Sequence, residues 1–140
     1  MLKRKTWPQT PLGSGLLTGK YVGKRPDTGR LMENAMYQAR YREDIYYEVA
    51  ERFTGFAQKR GVHPVTLAVA WVAHHPAVTA PIIGARNLKQ LEPALAAADF
   101  AMDDELYAAI AALSPTPPPA TDRTDEQAGL AYRGSAERYR

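Results

Sequence analysis

An α/β chain, mostly helical around one short buried strand, is what the sequence predicts, and three observations predict it. Apolar residues recur at helical spacing in separate stretches between Tyr41 and Leu113. A β-branched run, Val78-Thr79-Ala80-Pro81-Ile82-Ile83-Gly84, interrupts them and is bounded by turn residues, which fits a buried strand better than a helix. With 45% hydrophobic and 24% charged residues in a chain of 140, there is apolar material for one compact domain and not for two.

The elements follow in order. Gly13, Gly15 and Gly19 crowd the string Pro11-Leu12-Gly13-Ser14-Gly15-Leu16-Leu17-Thr18-Gly19-Lys20-Tyr21, and glycine lets backbone N–H groups approach a ligand closely, so this segment reads as a functional loop. Residues 22–34 show no apolar period and read as a long loop. Ile45, Val49, Phe53, Phe56 and Ala57 then recur on one face of a helix that starts near Tyr41 and stops at Gly61. Pro64 suits the first position of a second helix through Leu67, Ala68, Trp71 and Val72, which His74-His75-Pro76 ends. After the strand, Asn87 caps a helix with Leu88, Leu91, Leu95 and Ala98 on one face, and Asp103 caps another with Leu106, Ile110 and Leu113. Ser114-Pro115-Thr116-Pro117-Pro118-Pro119 is a semi-rigid extended segment, and the polar tail to Arg140 has too few apolar residues to fold alone.

The net charge of +3 is concentrated. Lys3, Arg4, Lys5, Lys20, Lys24, Arg25 and Arg30 face the single acid Asp27 in the first thirty positions, and such a segment attracts an anion or is simply a solvated terminus. No aromatics alternate with these bases, which disfavours single-stranded nucleic acid. No apolar run approaches the roughly 20 residues of a membrane span, and Met1-Leu2-Lys3-Arg4-Lys5 lacks the apolar stretch of a secretory signal. The expectation is a cytoplasmic chain that binds neither nucleic acid nor membrane. Absence of cysteine excludes disulfides and thiolate metal sites. His74 and His75 are adjacent on a helix and point apart, and no carboxylate completes a ligand set with His63, so no metal is expected. Tyr41, Tyr46 and Tyr47 read as cover for a helix surface, Trp71 as core, and Glu43, Asp44, Glu48 and Glu51 as a solvated face.

The chemistry gathers where the strand ends. Gly84-Ala85-Arg86 turning directly into a helix capped by Asn87 places backbone N–H groups and a guanidinium at one helix N-terminus, an arrangement that binds anions. On the plainer reading, Gly84 makes the turn, Arg86 is solvated, and Gln90 completes a capping-box-like pair with Asn87.

The string from Pro11 to Tyr21, the pattern Gly61-Val62-His63-Pro64 with Ala70-Trp71-Val72, and Pro81-Ile82-Ile83-Gly84-Ala85-Arg86-Asn87-Leu88-Lys89-Gln90-Leu91-Glu92 together resemble the C-terminal part of aldo/keto reductases of the aryl-alcohol-dehydrogenase and potassium-channel-β-subunit branch. The resemblance spans residues 11–123, leaving 1–10 unmatched and 124–140 as a disordered tail. It implies the last two βα units of a (β/α)8 TIM barrel plus the C-terminal helix, a largely helical and incomplete barrel. It implies NADP(H) as cofactor and carbonyl reduction as the parent reaction. Pro11, Leu12, Gly13 and Gly15 would line the pyrophosphate, with Lys20 and Arg30 reaching over it. Gly84, Arg86 and Gln90 would hold the adenosine end, with Arg86 on the 2′-phosphate.

Departures accompany the match. Gln9 stands where the family usually has an aromatic that stacks on the nicotinamide, and Pro93 and Ala94 stand where Glu and Asn commonly hold the adenine. The family's catalytic Asp, Tyr, Lys and His lie on its first four strands, and nothing in this chain corresponds to them, so no catalytic residue is assigned. The resemblance therefore implies an NADP(H)-binding portion that is inactive alone and truncated relative to a barrel, or else a non-catalytic nucleotide-binding or assembly module, or a truncated remnant with no activity. The partners it implies are NADP(H) and either a second copy or a chain supplying the missing strands.

Overall fold

The computed structural model describes residues 10–23, 38, 41 and 43–115. The α-helices whose bounds fall within the described residues are α1 (Asp44–Lys59), α2 (Pro64–His74), α3 (Leu88–Leu95) and α4 (Asp104–Ala111), with 3₁₀ turns at Gly13–Thr18 and Ala96–Ala98. Most of loop 22–34, Arg30 included, and the tail beyond Pro115 lie outside the described residues.

Helix α2 is the hub. Its sequence is apolar on nearly every side, and each residue from Val65 to Ala70 is buried. It packs against α1, α3, α4 and both 3₁₀ turns. On one flank Leu67 and Ala68 join Phe53 and Ala57 of α1 and Ile110 of α4. On the other, Val65, Val69 and Ala70 meet Ala94 and Ala97. A third cluster, Leu16, Tyr21 and Ala50, seats the glycine loop on α1.

The helix ends follow the expected chemistry. The α1 helix starts at Asp44, later than near Tyr41. It closes with Gly61 at φ +66°, so that Val62 N–H reaches Ala57 C=O at 3.0 Å and Gly61 N–H reaches Gln58 C=O at 2.9 Å. Asn87 Oδ1 accepts from Gln90 N–H at 3.0 Å, and Asp103 Oδ1 from Leu106 N–H at 2.7 Å. Pro93 sits inside α3, and the helix accommodates it within its second turn before tightening into the 3₁₀ turn.

The strand is a correction. No strand forms among the described residues; Val78 makes one isolated bridge, and residues 80–85 carry no regular structure. A strand is held by ladder partners on its edges, and no described segment lies alongside to pair with 78–84, so β-branched composition alone leaves the run irregular. A second correction concerns α3. Leu88 and Leu95 of the expected apolar face are 71% and 54% exposed, while Ala94 and Ala97 face the core.

Candidate anion-binding cleft

The glycine loop is shaped by three successive residues with positive φ: Gly13 (+54°), Ser14 (+59°) and Gly15 (+96°). Ser14 is the one non-glycine among them, and an L-residue in that region is held only when its surroundings impose it. Here they do so through backbone bonds. Leu12 C=O accepts from both Gly15 N–H (3.0 Å) and Leu17 N–H (3.2 Å), and Thr18 Oγ1 donates to Gly15 C=O at 2.7 Å. Ser14 Oγ is buried with no partner among the described residues.

Across from this loop runs the turn into α3. Asn87 Oδ1 caps Gln90 N–H, but Gln90 Oε1 accepts from Arg86 N–H at 3.1 Å, one residue before the N-cap, so the turn shows half of the capping-box pair expected of Asn87 and Gln90. The cap uses the backbone of Arg86 and the carbonyl oxygen of Gln90. The exposed Arg86 guanidinium has no partner among the described residues.

The two segments enclose a cleft of about 770 Å³. Pro11, Leu12, Gly15 and Lys20 line one wall, and Gly84, Arg86 and Gln90 line the other. Gly13 does not; it turns toward Leu16 and the Tyr41 hydroxyl. Arg30 lies outside the described residues. Lys20 folds back over the loop, its Nζ 3.1 Å from where a Cβ on Gly15 would sit and 4.8 Å from the Tyr21 ring centre.

Sequence reasoning missed Thr10, Ser14, Thr18, His63 and Lys89, which also line the cleft. His63 had a legible signal in hand, since the residue before a first-turn proline sits at the helix N-cap, next to whatever approaches that end. Ser14 had none, because serine is not a residue type that announces positive φ. Among the described lining residues the titratable side chains are Lys20, His63, Arg86 and Lys89, with no carboxylate and no tyrosine. No described group of His, Asp and Glu could hold a metal ion. No described helix is long and apolar enough to cross a membrane.

The glycine loop and the capped N-terminus of α3 thus share one cleft whose described titratable lining residues are Lys20, His63, Arg86 and Lys89. The chain belongs to the aldo/keto reductase family, whose sequence profile matches residues 5–115. It is similar to the uncharacterized oxidoreductase YrpG of Bacillus subtilis (strain 168), with 31% identity over 108 residues covering 77% of this chain and 31% of that protein. A probable voltage-gated potassium channel subunit beta of Arabidopsis thaliana is 35% identical over 99 residues, 67% of this chain and 29% of that protein. Aldo-keto reductase family 7 member A3 of Homo sapiens is 36% identical over 106 residues, 64% of this chain and 32% of that protein. The chain thus spans about three-tenths of the length of the curated relatives it matches.

Proposed function

We propose that the cleft binds NADP(H) and that this chain is the cofactor-holding, C-terminal portion of a (β/α)8 barrel carbonyl reductase. One observation carries the reading: Lys20 on the glycine loop and Arg86 on the turn into α3, far apart in sequence, line the same cleft. The donor set fits a dinucleotide phosphate. It offers a point charge from Lys20 and a planar fork from Arg86 suited to a 2′-phosphate, and the buried Ser14 Oγ behind the glycine-loop wall has no partner among the described residues. Gly84 leaves its side of the wall open, for a Cβ there meets nothing within 4 Å. Pro93 and Ala94 give an apolar lining in place of polar adenine contacts.

NADPH, when bound, supplies a hydride to a carbonyl carbon. This chain's residues bind and orient that cofactor, and the proton donor is assigned to strands that the chain does not supply, since no described tyrosine lines the cleft. The chain alone is therefore inactive on this reading. The second reading, a non-catalytic nucleotide-binding or assembly module, is favoured by the same lack of a carboxylate or tyrosine in the described lining. On the first reading the bound partner is NADP(H), and the proposed location is the cytoplasm. A second copy or a chain bearing the remaining strands would cover the exposed Leu88 and Leu95.

Calorimetric titration with NADP⁺ and NAD⁺ tests the assignment. A charge-assisted contact contributes roughly 1.5–3 kcal/mol, so Arg86→Ala should weaken NADP⁺ at least about tenfold and barely change NAD⁺. Equal loss for both cofactors would remove Arg86 from the 2′-phosphate.

A further inference from the structure

His63 stands outside the residues that the resemblance gives to the cofactor, yet it lines the cleft with Lys20 and Arg86. It is the N-cap of α2, and its Nδ1 accepts the Val65 N–H at 3.2 Å. An imidazole nitrogen that accepts from an amide holds no proton, so the neutral ring carries its hydrogen on Nε2. No described residue takes that hydrogen.

Its placement is fixed from below. The apolar cluster containing Val65 also takes in Leu12 of the glycine loop and Ile83 beside Gly84, so the first turn of α2 is wedged between the two walls. Capping alone requires only an acceptor, which a serine or asparagine side chain provides. Imidazole adds a donor on the far edge of the ring. No described lining residue is a carboxylate that could capture this donor, and the other titratable groups there are cations. His63 is exposed, so this donor is open to an anion entering the cleft.

We infer that His63 is a ligand-binding residue of the cleft, donating its Nε2–H to a phosphate oxygen of the bound dinucleotide while its Nδ1 caps α2. The inference rests on the proposed cofactor reading. The substitution that separates the two duties is His63→Asn, because asparagine keeps an acceptor for Val65 N–H while its shorter amide, whose own N–H groups lie closer to the backbone, leaves no donor at the Nε2 position. Thermal unfolding, NADP⁺ titration and imidazole ¹⁵N spectra are measured on the full chain. The expected result is an unchanged unfolding temperature, NADP⁺ binding weaker by roughly three- to tenfold, and, in the unaltered chain, a resonance of Nε2 that moves with NADP⁺ while that of Nδ1 stays. Unchanged affinity in His63→Asn with a stationary Nε2 resonance would overturn the role of His63 alone. So would a loss of affinity that tracks a loss of stability with no Nε2 shift. An unaltered chain that takes up no NADP⁺ at millimolar concentration would overturn the cofactor reading and this inference with it.

Discussion

A methyl group added at Gly19 meets Thr54 Cγ2 at 3.3 Å and Pro64 Cγ at 3.7 Å on a backbone at φ +85°, whereas one added at Gly84 meets nothing within 4 Å. The first glycine is required by the fold, since the chain crosses Thr54 of α1 and Pro64 at the start of α2 in a conformation closed to side chains. The second has no such duty. Gly19→Ala should lower stability by about 1–3 kcal/mol from backbone strain, with a falling unfolding temperature as the readout. Gly84→Ala should leave unfolding unchanged and weaken NADP⁺ in the titration, because its methyl group stands where a ligand would approach. A destabilised Gly84→Ala protein would return that glycine to a purely structural role. Residues with backbone punctuation were the legible ones in the sequence: Asn87 and Asp103 cap where their types say they should, and Gly61 stops α1. His63 was legible as the residue before a first-turn proline, and so as the cap of α2. Its second duty depends on which loop lies beside the helix end, and that is a tertiary fact.

At the scale of elements, a part-buried hydrogen bond joins α2 and α3, from Thr66 Oγ1 to Pro93 C=O at 2.6 Å. Carbonyls near a helix C-terminus lack intrahelical partners, and this bond satisfies one of them across the interface. Thr54 Oγ1 donates to Ala50 C=O at 2.8 Å within its own helix, where the carbonyl already has the ladder. Thr66→Val should therefore cost about 1–2 kcal/mol of stability, and Thr54→Val distinctly less. Paired denaturant melts compare them, and equal losses would show that the bond to Pro93 does not tie α3 down. The helices were readable because amphipathic periodicity is a property of the segment itself. The strand was not, because a β-branched run becomes a strand only where a neighbour offers its own N–H and C=O groups. The orientation of α3 was half legible: its leucines repeat at helical spacing, but the small faces of Ala94 and Ala97 fit against Val65, Val69 and Ala70, leaving Leu88 and Leu95 outward.

For the molecule as a whole, the question is whether the cleft could reduce a carbonyl unaided. The described tyrosines are all committed elsewhere. Tyr21 is buried with Leu16 and Ala50, Tyr47 packs edge-on against it, Tyr41 pairs with Tyr46, and Tyr107 stacks on Trp71 with ring centres 5.2 Å apart. The Trp71 indole N–H also donates to Tyr107 C=O at 3.1 Å, fastening α4 to α2 away from the cleft. Carboxylates are equally absent from the described lining, so no described carboxylate is placed to relay a proton to a tyrosine or to orient one. General acid catalysis typically contributes about 10²–10⁴-fold, and a cofactor held without it transfers hydride slowly at best. The chain assayed alone with NADPH and a panel of aromatic and aliphatic aldehydes should therefore show no turnover above the buffer control, even where titration shows the cofactor bound. Adding a chain that bears the family's catalytic strands should restore activity if the two assemble. Turnover by the chain alone, abolished by Tyr21→Phe or Tyr41→Phe, would place the active site inside these helices. Turnover abolished instead by His63→Gln would make the cap of α2 a proton donor and the cleft itself a catalytic site.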